Sequence, residues 1–182
     1  MYKYVFFFFM LMITSCKDDI LPKPKGYLSL SYPEKVYENF NADYPYSFEV
    51  SASAKTIKQP NYWLKITYPK LKASIDITYR PVNNNLKELL TEAEKLVFEH
   101  TIKADQITSN NFDNKKEKVF GGMYEISGNS ASNVQFHVTD STKHFLKGSL
   151  FFYAKPNYDS IIPAVDYIQK DMIHLMETLK WK

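Results

Sequence analysis

Hydrophobic positions along the chain follow two periods, one of two residues and one near 3.6. Period two appears first over residues 28–32, where Leu28, Leu30 and Tyr32 alternate with smaller or polar residues and Pro33 ends the run. It returns at Tyr46, Phe48 and Val50, then at Leu64, Ile66 and Tyr68, then at Ala73, Ile75, Ile77 and Tyr79. Each run predicts a strand with one buried face. Residues 69–72, which begin with Pro69, predict a hairpin loop between the last two.

The period then lengthens. Leu86, Leu89, Leu90, Ala93, Leu96, Val97 and His100 share one face at helical spacing, which predicts a helix over about 86–103. Asn85 is placed to cap it, with Glu88 three residues on to close a capping box. Residues 104–112 are ambiguous and compatible with a strand, and 113–118 read as a charged turn. Residues 119–127 predict a strand that Gly121-Gly122 would interrupt as a β-bulge. Residues 130–138 alternate, 139–142 form a turn, and 144–153 predict a long strand apolar on both faces. Phe145, Phe151 and Tyr153 occupy one face of it, Leu146, Leu150 and Phe152 the other. Such a strand belongs at the centre of a sheet with cover above and below. Ile161, Val165, Ile168, Met172, Leu175, Met176 and Leu179 predict a second helix over about 160–180. The expected fold is α+β: a single domain, a largely antiparallel sheet and two main helices packed on it. One helix on each face is the expected arrangement, unless loops cover one of the faces. No internal repeat and no second domain is visible.

The first residues fit none of these elements. Lys3 precedes residues 5–13, nine consecutive apolar positions with four phenylalanines among them. As a helix they would span only ~14 Å, about half a bilayer core, so they read as the apolar core of a signal peptide and not as a transmembrane helix. Ile13-Thr14-Ser15-Cys16 follows: a branched apolar residue, two small residues and the chain's single cysteine. This resembles the lipobox read by bacterial lipoprotein signal peptidase. We expect cleavage after residue 15 and lipidation of the Cys16 thiol, since two or more acyl chains make an anchor effectively permanent where one is marginal. Lipoproteins of this kind carry two or three. Residues 16–26 then read as a lipidated cysteine and a semi-rigid tether of roughly 30 Å, stiffened by Pro22 and Pro24. Lys17-Asp18-Asp19 resembles the Lys-then-acidic signal that sends some lipoproteins to the cell surface. Residues 27–182 are the expected globular body.

Composition supports that division. Apolar residues make up 45% and charged residues 24%, enough to bury a core, and 16% aromatics favour strands. The net charge of +3 includes Lys3, so the mature chain keeps +2. Lysines are interleaved with acids, which argues against nucleic acid as a partner.

Beyond the lipobox, longer strings are similar to the gliding-motility lipoprotein GldD family of the Bacteroidetes. They are Leu21-Pro22-Lys23-Pro24-Lys25, Trp63-Leu64-Lys65-Ile66, Tyr79-Arg80-Pro81-Val82-Asn83-Asn84-Asn85-Leu86 and His100-Thr101-Ile102-Lys103-Ala104-Asp105. To these are added the run from Phe151 through Tyr153-Ala154-Lys155-Pro156-Asn157-Tyr158 to Ser160 and the closing Met176-Glu177-Thr178-Leu179-Lys180-Trp181-Lys182. The resemblance runs from the lipobox to the last residue. It implies a role in gliding, an accessory role in type IX secretion, contacts with other envelope proteins of those systems, and no catalytic residue or cofactor. The alternative is an envelope enzyme or glycan-binding lipoprotein acting at the cell wall. The inner or outer membrane, and the periplasmic or surface side, stay open.

Candidate chemistry is sparse. His137 and His144 would face each other if 139–142 formed a four-residue loop. Two imidazoles fall short of the four protein ligands that a structural zinc site takes, so no metal is expected. His100 continues the helix stripe and reads as a buried, hydrogen-bonded group. Ser130 follows Gly128-Asn129 but lacks the second glycine and the helix of a nucleophile elbow, so a turn is expected. No catalytic residue is assigned. Two loops are candidate partner-binding surfaces: Arg80, Asn83 and Asn84 at a strand-to-helix junction, and Tyr153, Lys155, Asn157 and Tyr158 after the long strand. Trp181 reads as packing against the body.

Overall fold

The alternating runs become the middle of a sheet because their apolar faces are buried together. The computed structural model describes residues 32–99, 104–153 and 157–182. In chain order the strands are β1 (Tyr37–Phe40), β2 (Tyr46–Ser51), β3 (Lys55–Lys58), β4 (Leu64–Tyr68) and β5 (Ala73–Pro81). Helix α1 (Leu86–Glu99) follows, then β6 (Ala104–Asn114), β7 (Val119–Gly128), β8 (Ser132–Thr139), β9 (His144–Phe152), helix α2 (Tyr158–Thr178) and β10 (Lys180–Trp181). Seven strands pair antiparallel in the order β3-β4-β5-β9-β8-β7-β6, and a small sheet has the order β1-β2-β10. The fold is α+β.

The large sheet has two unlike faces. On one, Leu64, Ile66, Ile75, Ile77, Leu146, Leu150, Phe136 and Val138 are buried beneath α2 and the small sheet. Helix α2 contributes Val165, Ile168, Met172, Leu175 and Met176, the predicted stripe, and β2 adds Tyr46 and Phe48. On the other, α1 packs Leu89 and Ala93 on Phe145 of β9. One helix therefore lies on each face, as the doubly apolar β9 requires. Leu175 is 1% exposed and Leu90 only half-buried. We expect Leu175→Ala to cost about 2–5 kcal/mol and Leu90→Ala clearly less, read by urea denaturation of the two variants. Equal losses would place the Leu90 side chain deeper than its exposure allows.

Several local expectations change. Helix α1 is described to Glu99, and His100 with residues 101–103 lies outside the described residues, as does the predicted strand over 28–31. Tyr32 is not in a strand. Asn85 opens α1 through its carbonyl, which accepts the Leu89 amide at 3.1 Å. Its side chain turns back to the Asn83 amide at 2.8 Å and does not close a box with Glu88. Residues 104–112 are strand, the outer one of the sheet. Gly121 and Gly122 form no bulge: β7 stays in register with β6 and β8 through them. The physical requirement is close approach, because a Cβ on Gly121 would sit 1.9 Å from the His137 carbonyl oxygen. Strand β3 is exposed at all four positions, so no burial pattern announced it. Helix α2 begins two residues earlier than predicted, at Tyr158, and ends at Thr178.

Candidate functional site

The two predicted loops lie at opposite ends of the β5–β9 pair. Arg80 pairs with Phe145 and Ala73 with Phe152, so Arg80 marks one end, and Tyr153, whose amide donates to the Lys72 carbonyl at 2.8 Å, marks the other. The structure does not bring them together. Arg80 is exposed and reaches Glu92 of α1 at 3.5 Å. Asn83 and Asn84 are exposed, and Asn84 takes a left-handed φ of 58°, which Asn tolerates in turns. Tyr153 is 59% exposed, with the Lys65 ammonium 5.8 Å from its ring centre. Asn157 precedes α2, and the Tyr158 amide donates to Asn129 Oδ1 at 3.0 Å, which ties this loop to the β7–β8 turn. Lys155 and Cys16 lie outside the described residues.

At the Arg80 end the chain builds a cleft that sequence reasoning missed. Residues 43–45 lead into β2, a 3-10 turn (Pro60–Tyr62) leads into Trp63 and β4, Tyr79–Pro81 ends β5, and Lys182 closes from the C-terminal side. The cavity holds about 860 Å³, within the range of about 300–1,000 Å³ typical of ligand sites. Its walls are aromatic. Tyr62 meets Tyr44 edge-on at 5.5 Å and Tyr79 at 6.0 Å, and Tyr44 meets Tyr46 at 5.5 Å. Asn61 and Tyr62 are both left-handed, with φ of 59° and 60°, a costly conformation for a bulky residue. It is held because the buried Tyr46 hydroxyl donates to the Tyr62 carbonyl at 2.6 Å, and because the Trp63 indole donates to the Tyr79 carbonyl at 3.2 Å. Tyr44 donates to the Trp63 carbonyl at 3.1 Å. The Lys182 ammonium donates to Asn41 Oδ1 and the Ala42 carbonyl, both at 2.8 Å. The available signal was the density of aromatics beside prolines in Asp43-Tyr44-Pro45-Tyr46 and Pro60-Asn61-Tyr62-Trp63.

The histidines do not meet. Thr139 pairs with Phe145 and His137 with Lys147, so the register is offset by three residues from the predicted His137–His144 pairing and the two imidazoles take opposite faces. The cause is Asp140. Its carboxylate accepts the amides of Thr142, Lys143 and His144 at 2.8–2.9 Å, and against the upward push of burial these bonds hold its pKa at about 2. His137 is buried between Tyr124 and Phe145, and burial lowers its pKa against the attraction of Glu94. His144 bonds the Tyr79 hydroxyl at 2.8 Å and stacks at 5.2 Å on Trp181, whose indole donates to the Lys118 carbonyl. Trp181 thus packs against the body. Among the described residues no three His, Cys, Asp or Glu side chains cluster as metal ligands. Ser130 is buried in a turn and donates to the Ser132 carbonyl at 3.0 Å.

A second buried constellation was also missed. Asp171, 4% exposed, sits inside the apolar stripe of α2. Its Oδ1 pairs with the Lys35 ammonium and accepts from the Tyr37 hydroxyl at 3.0 Å, and its Oδ2 accepts from the Tyr68 hydroxyl at 3.0 Å. Burial and the adjacent carboxylate push both tyrosine pKa values up, so the phenols stay neutral donors. Lys35 also donates to the Tyr167 carbonyl at 2.7 Å and lies 3.7 Å over the Tyr167 ring, on which Tyr32 stacks at 4.8 Å. The stretch entering the body is thereby fastened to α2. A charge within the stripe Ile168–Met172–Leu175 was the legible signal.

These features define a class: an α+β body with a fastened N-terminal entry, an aromatic surface cleft, and no described helix long and apolar enough to cross a membrane. The profile of the family described as gliding motility lipoprotein GldD matches residues 17–181, and the chain belongs to that family. Membership makes it a membrane-anchored lipoprotein of the cell envelope with a part in gliding motility. No curated protein matches it.

Proposed function

We propose that the protein is a non-enzymatic adaptor of the gliding apparatus, held by lipid on Cys16 and supporting type IX secretion through contacts with other envelope proteins. Residues 1–15 are its signal peptide, 16–26 its tether and 27–182 its working body. One observation carries the contact reading. The outer strand β6 is eleven residues long, exposed at most positions, and among the described residues pairs only with β7. It holds neither proline nor lysine, the residues that commonly blunt a free edge. A strand of a partner protein can extend the sheet there through main-chain hydrogen bonds. A second copy of β6 is a poor occupant, since antiparallel self-pairing about Ser109 would oppose Asp105 to Asp113.

The test is capture from native membranes by crosslinking, with wild type and with a Ser109→Lys/Asn111→Lys double variant in a strain lacking the native gene. Wild type is expected to recover secretion or motility components and to restore spreading on agar. The variant, with an unchanged melting temperature, is expected to lose most of that capture. Repeated recovery of no such component by wild type, or equal recovery by the variant, overturns the reading.

A further inference from the structure

The aromatic cleft has no part in that reading, which needs only an anchor and an open edge. We propose that the cleft between Tyr62, Trp63 and Arg80 is a saccharide-binding site. Three observations carry this.

First, the walls are preformed. Tyr62 is 49% and Trp63 37% exposed, yet both are fixed from behind, Trp63 by its indole bond to the Tyr79 carbonyl and Tyr62 by the Tyr46 hydroxyl on its own carbonyl. Rigid, half-exposed rings offer π-faces to an apolar C–H surface at little entropic cost on binding. Asn61 and Tyr62, both in the left-handed region, line the cleft, and strain of this kind collects at ligand clamps.

Second, the Trp63, Tyr44 and Tyr46 ring donors are already occupied, and the donors left to a ligand sit at the rim, on Tyr62, Asn61 and Arg80. An extended proline-rich peptide also docks in aromatic grooves, but its unpaired carbonyls need donors from the wall. Here the Trp63 indole, the Tyr44 and Tyr46 hydroxyls and the Tyr79 hydroxyl are all committed inside the protein. The middle of the wall is therefore aromatic, and its hydrogen-bonding groups are gathered at the rim.

Third, the rim supplies complementary polar groups. Asp43 is acceptor-only and Arg80 donor-only, and the Asn61 amide and Tyr62 hydroxyl can do both. Among the described residues the Arg80 guanidinium reaches the exposed Glu92 at 3.5 Å, the outer limit of a hydrogen bond. A pyranose ring presents this pattern in reverse: an apolar face, and an edge of hydroxyls that each donate and accept. The cavity volume of about 860 Å³ suits a short oligosaccharide and not a single small ion.

The test is titration of the full lipoprotein in amine-oxide micelles, chosen because the detergent has no sugar head group. Tetrasaccharides of glucose, mannose, N-acetylglucosamine and galacturonate are added at millimolar concentration, with tetraproline as the rival. Binding is read by calorimetry and by tryptophan fluorescence. At least one saccharide is expected to bind, and Tyr62→Ala, Trp63→Ala and Asp43→Asn are each expected to weaken it by about tenfold or more. Tyr153→Ala, an exposed aromatic at the other end of the sheet, should leave it unchanged. If Trp63→Ala lowers the melting temperature, Tyr62→Ala and Asp43→Asn decide. No binding by any saccharide, binding that survives in Tyr62→Ala and Asp43→Asn, or binding of tetraproline alone overturns the proposal.

Discussion

Replacing Asp171 by alanine is expected to destabilise the protein by about 3–5 kcal/mol, the cost of breaking a buried ion pair by removing one partner. The carboxylate is nearly inaccessible and takes three contacts, from Lys35, Tyr37 and Tyr68. Truncation strands all three groups. The Tyr68 hydroxyl suffers most, because Tyr68 is 3% exposed and water cannot replace its acceptor. Lys35 retains the Tyr167 carbonyl and partial solvent contact, which limits its share of the loss. For a domain of this size the change corresponds to a fall in melting temperature on the order of 10 °C. Asp171→Asn, which keeps shape and one acceptor, should lose less. Thermal and urea unfolding of both variants check this, and an alanine variant melting with wild type would mean the three donors find other partners at no cost. The effect should be local in one further respect. Because Lys35 and Tyr37 lie just before and within β1, the alanine variant is expected to lose amide protection first in the β1–β2 ladder.

That position gives the clamp its meaning on the proposed reading. A body held by lipid through a tether receives any pull through the residues that lead into it, of which Tyr32 to Tyr37 are described. In this protein those residues stack Tyr32 on Tyr167 and bury the Lys35 contact against Asp171, both on α2, the longest helix described. Load reaching Lys35 would be shared with α2 through Asp171 as well as with the β1–β2 ladder. A hydrophobic residue at 171 could match the stability of the ion pair. It would not fix which segment docks there, since Lys35 and Tyr37 are selected by the carboxylate.

The core was legible in the sequence where one periodicity ran uninterrupted. Ala73–Tyr79 and Leu64–Tyr68 alternate cleanly because one face meets α2 and the other does not, and β9 announced its central place by being apolar on both sides. The edges were not legible, for physical reasons. Strand β3 buries nothing, β6 is mostly exposed with its apolar Ile107 and Phe112 on opposite faces, and β10 is two residues long. None of the three carries a run of alternating apolar positions that would announce a buried face. The histidine pairing failed because one acceptor, Asp140, gathers three successive amides and sets the register three residues from the predicted one, and a shift of odd count moves a side chain to the other face. The cleft escaped because its parts come from four separate stretches, joined by Tyr46 and Trp63 hydrogen bonds to distant carbonyls. Arg80 was singled out from its loop alone. Its neighbours in space, Tyr62 and Trp63, stood some seventeen residues away.

Cys16→Ala is expected to leave folding unchanged and to abolish both acylation and membrane retention. The lipid expected at the lipobox is joined through a thiol, and the sequence contains one cysteine. Among the described residues no helix is long and apolar enough to cross a membrane, and the mature net charge of about +2 is too small for electrostatic adhesion to an anionic surface. Two acyl chains hold a protein stably where none leaves it free to diffuse. The described sheets and the Asp171 clamp are built from residues 35 onward, so the substitution removes none of their described contacts. Fractionation of cells carrying the variant should move the protein from the membrane pellet to the soluble envelope fraction or to the medium. Mass spectrometry should show uncleaved signal peptide or an unmodified N-terminus. The melting transition should coincide with wild type, and spreading on agar should be lost. A variant that still pellets with membranes after a salt wash would demand a second anchor in the folded body. A variant that is soluble yet restores spreading would mean the body works without being held at the bilayer, which removes the reason for a fastened entry at Lys35.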